Sequence, residues 1–207
     1  MLEPKYRVLT PFLFNPSAEK YAKEIEDDAE VNHERALHYL GLLSKERILR
    51  RQTKGKQVFF SINNENESAV KLLSLLEFER KADFLRATPY GPMVHRLIQT
   101  LKAASNGTIA FALLYGSAAR KQATPSSDVD LLIVTNKDGK ANERLQAKVK
   151  LLEREFNYAI SPSVISLSEL SRNWHKQPIY KSVWNDRVVL LGEERFWEFV
   201  LSEGEPK

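Results

Sequence analysis

The sequence contains no cysteine and no long hydrophobic run, and both absences narrow what the protein can be. Without cysteine there can be no disulfide bonds and no metal site built on thiolates. No apolar stretch reaches the roughly 20 residues that a membrane-spanning helix needs. Residues 1–15 also lack the pattern of a secretion signal. We therefore expect a cytoplasmic protein that does not enter the membrane.

Histidine is scarce too, with four in 207 residues. His33 and His38 are five positions apart and have no acidic or thiol neighbour at ligand spacing, so we predict no metal site there. A hydrophobic content of 43% and a charged content of 28% are ordinary for a globular protein, and the length allows one large or two small domains. The net charge of +4 is mildly basic, so the location of the basic residues matters more than their number.

The most informative stretch is 109–134, in which two apolar runs flank a polar connection. Both runs are short and bounded by turn residues, which is typical of buried strands. The first run ends at Gly116, and the second follows directly after Asp128 and Asp130. Because strand side chains alternate between faces, we expect both aspartates on one face and Val129 in the core.

Two carboxylates on one face repel each other unless a cation lies between them. Such oxygen ligands suit Mg²⁺, which is commonly held by one or two carboxylates together with substrate phosphates. Gly116 would let the backbone approach a ligand, and a helix beginning at Gly116-Ser117 would direct N–H groups at an anion. The alternative is that Asp128 and Asp130 only begin a strand and Gly116 is a turn glycine. Aspartate is disfavoured in strands, so this alternative fits the pattern poorly.

Gly116-Ser117, Arg120 and Ser127 to Asp130 together resemble the signature of the polymerase-beta-type nucleotidyltransferases in their minimal prokaryotic form. The resemblance implies that Asp128 and Asp130 are catalytic and hold Mg²⁺, with two ions possible. It also implies that Gly116, Ser117, Arg120 and Ser127 bind a nucleoside triphosphate. The implied reaction is in-line attack of an acceptor hydroxyl on the α-phosphate, with pyrophosphate leaving.

The sequence departs from the family pattern at two positions. Catalytic members place a third carboxylate on the next strand, where this sequence has Ser161, which is neither a strong metal ligand nor a base. Related sequences also tend to have glycine where this one has Lys121. Glu153 and Glu155 are near in sequence but fall on a predicted helix. We therefore expect a second metal ion to bind weakly, if at all.

The resemblance implies that residues 91–207 form a nucleotidyltransferase-fold domain with a mixed β-sheet flanked by helices. Hydrophobic periodicity predicts helices and extended segments that alternate along it. The predicted helices are Val94–Ala104, Asn142–Phe156, one opening at Ser166, and Phe196–Leu201; the extended segments are the two motif strands, Asn157–Ser166 and Val188–Leu191; Asn136–Lys140 is a predicted turn. Trp174, Trp184 and Trp197 are interpreted as core or interface anchors.

Residues 1–63 resemble a winged helix-turn-helix domain. Predicted helices cover Arg7–Phe14 and Ala18–Asp28, and a third begins after Asn32, a good N-cap residue. A basic hairpin turning at Lys54-Gly55 follows as the wing. The chain as a whole is thus predicted to be of the α+β class.

The third helix is the predicted recognition helix, and the hairpin is the predicted wing that contacts DNA beside it. The predicted buried stripe of the third helix consists of Ala36, Leu37, Leu40 and Leu43. The predicted nucleic-acid-binding residues are His33, Arg35 and His38 on the helix, and Arg50, Arg51, Lys54 and Lys56 on the wing. The alternative is a solvated basic surface on a module that mediates dimerisation or contact with the catalytic domain.

Residues 64–90 are predicted to connect the two domains. A largely amphipathic helix over Ser68–Leu85 suits a dimer seam, an inter-domain strut or ordinary packing on its own domain. Ala87–Pro92 holds two prolines and a glycine, which makes it the best domain boundary.

Three functions fit the sequence. The first is a Mg²⁺-dependent enzyme that transfers a nucleotide from a nucleoside triphosphate to a hydroxyl of RNA or protein, targeted by a DNA-binding winged helix. The second is a non-catalytic DNA-binding transcriptional regulator whose nucleotidyltransferase domain is degenerate. The third is an antitoxin-like protein that pairs with a small helical toxin-like partner. A homodimer is the expected assembly.

Overall fold

The computed structural model describes residues 3–105, 107–124, 127–136 and 141–206, with the backbone alone at 141, 142 and 144. The chain divides into two compact units. The first comprises Met1–Glu77 and Trp197–Glu205, and the second contains Phe78–Phe196. Among the described residues, no helix is both long and apolar enough to cross a membrane.

The first unit combines helices with a small antiparallel sheet. In chain order its elements are a 3₁₀ helix (Pro4–Phe12), β1 (Lys20–Tyr21), α1 (Ala22–Ala29), α2 (His33–Lys45), β2 (Leu49–Lys54) and β3 (Gln57–Ile62). The strand order is β1-β3-β2. Fully buried apolar side chains from the three helices form its core, among them Leu9, Phe12, Ile25, Leu40 and Leu43.

Two of the predicted helices in this unit differ from the structure. The first is a 3₁₀ helix that begins at Pro4 rather than an α-helix from Arg7. The sequence predicts the second from Ala18, but Lys20–Tyr21 is extended and pairs with Phe59 and Phe60 of β3. Helix α1 therefore begins only at Ala22. Tertiary strand pairing has overridden the local helical pattern here.

The third predicted helix is confirmed as α2, with one error in its buried face. The Asn32 side chain accepts a hydrogen bond from the Arg35 backbone N–H at 3.0 Å, as an N-cap should. Ala36, Leu40 and Leu43 are fully buried, but Leu37 is 45% exposed. The buried face of α2 is therefore narrower than predicted, and Leu37 lies beside it.

The basic hairpin is also present, shifted by one residue at its turn. Lys54 pairs with Gln57, which leaves Gly55 and Lys56 as the two turn residues. Gly55 has a φ of +61°, the left-handed conformation that such short hairpin turns require.

A single helix, α3 (Glu67–Ala87), covers the predicted connecting helix. The division between the two compact units falls inside it, between Glu77 and Phe78. Its leucines at 72, 73 and 76 are buried. Only three residues, 88–90, separate α3 from the next helix, which already includes Gly91 and Pro92.

The second unit is built on a four-stranded sheet. Its further elements are α4 (Gly91–Ser105), β4 (Ile109–Tyr115), α5 (Gly116–Ala119), β5 (Val129–Thr135), α6 (Ala141–Phe156), β6 (Ile160–Ser166), α7 (Leu167–Asn173), α8 (Ile179–Asp186), β7 (Val188–Leu191) and the start of α9 (Glu193–Glu203). The strand order is β6-β5-β4-β7. β5 and β6 run parallel and the other pairs antiparallel, so the predicted mixed sheet flanked by helices is confirmed. Most of the predicted turn at 136–140 lies outside the described residues.

The sheet is packed on both faces, which fixes the direction of each strand side chain. On one face, Ala112, Leu114, Leu131 and Ile133 join a core cluster with apolar residues of α4 and α6. On the other, Phe111 meets Phe196 edge to face at 5.5 Å between ring centroids. Trp184 stacks on Phe196 at 6.2 Å and meets Trp174 at 6.4 Å. Trp174, Trp184 and Trp197 are all buried, which fits their interpretation as core anchors.

Candidate functional site

The candidate site lies at one end of the sheet, where β4 ends and β5 begins. Asp128 directly precedes β5 and is exposed, whereas Asp130 is half-buried and pairs with Tyr115 of β4. Val129 between them is 1% exposed and belongs to the core cluster on the opposite face. The two carboxylates therefore share the face turned away from that core.

Gly116 is required by its conformation and by its neighbour. Its φ is +71°, a region that L-residues rarely adopt. A Cβ atom built on it would lie 3.3 Å from the Cγ of Asp130 and would clash with that residue's Oδ2. The absence of a side chain thus lets the turn after β4 pass directly against the Asp130 carboxylate.

Asp130 lies in an environment that disfavours its charge. Burial raises the pKa of its carboxyl first, and the nearby Asp128 raises it further, while Arg120 opposes both. Burial likewise raises the pKa of the Tyr115 hydroxyl, with further contributions from Asp130 and Tyr180. A bound cation would relieve this repulsion between the carboxylates.

Arg120 is held by a residue that sequence reasoning did not identify. Its guanidinium forms an ion pair with Asp186 at the end of α8 and donates from Nε to the Gln122 side chain at 3.2 Å. Asp186 is 66 positions further along the chain, so no local pattern could have linked the two residues. Arg120 thus lies near the carboxylates with its charge already partly compensated.

Lys121 has a φ of +61°, the conformation for which glycine is best suited. The resemblance to the nucleotidyltransferase family predicts a glycine at this position. The Lys121 ammonium group lies 6.0 Å from the ring centroid of Phe84.

Ser117 and Ser127 occupy different parts of the polar connection. Ser117 is half-buried in α5, and its carbonyl accepts a hydrogen bond from the Gln122 N–H at 2.9 Å. Ser127 closes a turn with Thr124, whose backbone N–H donates to Ser127 Oγ at 2.9 Å. Ser127 therefore shapes the approach to Asp128, while residues 125 and 126 lie outside the described part of the chain.

Ser161 occupies the position across the sheet from the second aspartate. It pairs with Asp130 in the parallel register of β5 and β6, and its hydroxyl donates to Asp128 Oδ2 at 3.0 Å. A serine thus lies beside both aspartates. The family resemblance predicts the third carboxylate at this same residue.

The two glutamates considered as replacements for the third carboxylate are engaged elsewhere. Glu153 accepts from the Ile160 N–H at 2.7 Å and from Lys150 at 2.8 Å. The Lys150 ammonium, and then the Ile160 N–H, hold the pKa of Glu153 below its usual range. Glu155 lies 3.6 Å from Arg96. In the part of the chain that the structure describes, no group of three or more acidic, histidine or cysteine side chains forms a metal cage.

The seven predicted nucleic-acid-binding residues are exposed on the first unit. Three have polar partners there: His33 with Glu26 at 2.6 Å, Lys54 with Glu19, and Arg50 with Asn63 and Asn64 at 3.1 and 3.0 Å. Arg35, His38, Arg51 and Lys56 form no ion pair with any described residue.

Comparison with known proteins adds one finding. Residues 96–190 match the family model described as "Polymerase beta, Nucleotidyltransferase". The match spans the turn at Gly116, both aspartates and Ser161. No curated protein and no solved structure matches the chain. The segment that carries the candidate site is thus similar to the nucleotidyltransferase domain of that family.

Proposed function

We propose that the second unit binds a Mg²⁺–nucleoside triphosphate and transfers the nucleotide to a hydroxyl group of RNA or protein. The observation that carries this proposal is the close approach of Gly116 to Asp130, which places a turn without a side chain directly against one carboxylate of the pair. The family match over 96–190 supports the nucleotidyltransferase class.

The residues present fit a magnesium ion. Asp128 and Asp130 supply the hard oxygen ligands that Mg²⁺ prefers, and they share one face at the end of the sheet. Burial raises the pKa of the Asp130 carboxyl and the neighbouring Asp128 raises it further, an effect that a bound cation would oppose. Bound there, Mg²⁺ would neutralise charge on the triphosphate as it reacts.

The chain's own residues would bind and orient the nucleotide. Gly116 lets the backbone approach the phosphates, and Ser117 offers a hydroxyl and an amide N–H beside it. Because α5 has only four residues, its individual N–H groups matter more than a helix dipole. The Asp186 contact holds Arg120 near the site. Ser161 can orient Asp128 but cannot accept a proton from the acceptor hydroxyl at neutral pH.

The direct test is nucleotide transfer from α-labelled nucleoside triphosphates to RNA and protein acceptors. We expect transfer by the wild type and its loss in Asp130→Ala. Glu155→Gln is the matched control, since it removes an acidic charge from the same unit outside the site. Equal transfer by Asp130→Ala and wild type would contradict the assignment, as would a loss in Glu155→Gln alone.

A second candidate function is favoured by Ser161. With serine at the third carboxylate position, the site could bind metal–nucleotide without turning it over, as in a DNA-binding regulator that senses nucleotide. If Mg²⁺–nucleotide stabilised the protein against unfolding but no labelled product formed, the nucleotide-sensing function would be favoured.

For the first unit we propose a winged helix that binds DNA. Its order of elements supports this: a helix, β1, α1, α2 and then the β2–β3 hairpin, with β1 pairing onto the hairpin. In this proposal α2 enters the major groove and the hairpin contacts the backbone. The domains would be residues 1–63, a connection over 64–90, and 91–207.

A further inference from the structure

The first unit contains a cavity of about 400 Å³ between α2, the start of α1 and the β2–β3 hairpin. Three residues of α2 at successive four-residue steps line it, namely His33, Leu37 and Gly41. Val58 and Phe60 of β3 line the facing side, and Phe60 is buried. The volume lies in the range of small-molecule sites, which run from about 300 to 1,000 Å³.

Two features of α2 keep this cavity open and apolar. Gly41 has no side chain, and a Cβ atom built on it would meet nothing within 4 Å. Leu37, one helical turn before Gly41, is 45% exposed, and its side chain presents apolar surface at the opening of the cavity. A larger residue at Gly41 would fill the space and would also suit a helix better, so the gap is not forced by packing.

The charged side chains that line the cavity are all basic. Lys23, His33 and Arg51 line it, and no acidic residue does so within the described part of the chain. Lys23 and His33 share Glu26, whose pKa they hold below its usual range, with Lys23 contributing more. Arg51 is exposed and forms no ion pair with any described residue. One guanidinium therefore remains uncompensated beside an apolar space.

We propose that this cavity binds a small organic carboxylate with a compact apolar body. Arg51 would bind the carboxylate, because a guanidinium matches its two oxygens with parallel N–H donors. Leu37, Val58 and Phe60 would contact the apolar body, and the gap at Gly41 provides its volume. This site is separate from the carboxylate pair at Asp128 and Asp130.

The test uses 2-naphthoate as the probe and 2-naphthamide as its neutral match, with binding measured by calorimetry and thermal unfolding of the full chain. We expect the acid to bind at least tenfold more tightly than the amide. Gly41→Leu, which fills the cavity, should abolish binding. Arg51→Gln should weaken binding of the acid at least tenfold. Lys71→Gln, which removes an exposed charge from α3 of the same unit, should bind as the wild type does.

Both test variants should fold, since Gly41 has free space around it and Arg51 is exposed. Failure of 2-naphthoate to bind at millimolar concentration would overturn the proposal. So would equal binding of acid and amide, or binding that survives in Gly41→Leu. His33 and Arg51 also belong to the predicted DNA surface, so the experiment is done without nucleic acid. Its outcome is then independent of DNA binding and of nucleotide transfer.

Discussion

The Ser161 hydroxyl donates a hydrogen bond to Asp128 at 3.0 Å, at the position where the family resemblance predicts a carboxylate. The same residue pairs with Asp130 across β5 and β6. Its hydroxyl thus partly satisfies the aspartate pair without adding negative charge. We expect this contact to stabilise the site without metal, and we expect the missing carboxylate to slow activation of an acceptor hydroxyl.

We expect Ser161→Asp to lower the stability of the protein without metal and to raise its rate of nucleotide transfer. Without metal, the third carboxylate should lower the free energy of unfolding by about 1–2 kcal/mol, because it repels Asp128 and loses a charge-assisted hydrogen bond. With Mg²⁺ and nucleotide, a carboxylate base should raise the transfer rate by at least about tenfold. Chemical denaturation and labelled-nucleotide transfer measure the two effects.

Ser161→Asn is the matched control, since it has a similar shape without the charge. It should show neither the loss of stability without metal nor the gain in transfer rate. If Ser161→Asp lost no stability in the absence of metal, the third carboxylate would not lie beside the pair.

Gly116→Ala should abolish nucleotide binding as well as reduce stability. The left-handed φ alone costs an alanine about 1–2 kcal/mol, and the new Cβ would also displace the Asp130 carboxylate. Gly107→Ala is the control, because its φ is +75° and nothing lies within 4 Å of a Cβ there. It should lose similar stability from strain but bind nucleotide normally. Equal loss of binding in both variants would mean that the contact with Asp130 is unimportant.

Lys121→Gly should stabilise the protein, because glycine relieves the φ of +61°. The left-handed strain of about 1–2 kcal/mol exceeds the entropic cost of a new glycine, which leaves a gain of up to about 1 kcal/mol. Lys121→Ala keeps the strained Cβ and should show no gain. Thermal unfolding distinguishes them, and a more stable alanine variant would point to the lysine charge rather than to the backbone.

DNA binding by the first unit should depend steeply on salt. Each phosphate contact contributes about one unit to the slope of log affinity against log salt concentration. Arg51→Ala and Lys56→Ala should each reduce that slope by about one, whereas Lys71→Ala on α3 should leave it unchanged. A flat salt response of the wild type would argue against the winged-helix proposal.

The part of the site that is local in sequence could be predicted, because β-strand alternation and turn chemistry act over a few residues. Asp128, Val129 and Asp130 follow from the period of a strand, and the mixed sheet follows from the resemblance. The position of Ser161 could be inferred only by comparison with the family pattern.

The rest depends on contacts between distant parts of the chain. Asp186 reaches Arg120 only because α8 packs near α5 in the folded unit. The extended pair Lys20–Tyr21 is set by its partners Phe60 and Phe59 in β3, which lie 40 and 38 positions away. The exposure of Leu37 depends on where the hairpin lies against α2, which the helical period alone does not determine.

The most direct test of the central claim is a thermal-unfolding titration with Mg²⁺ and each nucleoside triphosphate, on the wild type and on Asp128→Asn/Asp130→Asn. A ligand present at about 100 times its dissociation constant should add about 2.7 kcal/mol of apparent stability. We predict this gain for the wild type with at least one nucleotide, only when Mg²⁺ is present, and its absence in the double variant. No stabilisation at millimolar nucleotide, or equal stabilisation of both proteins, would contradict a metal–triphosphate site at Asp128 and Asp130.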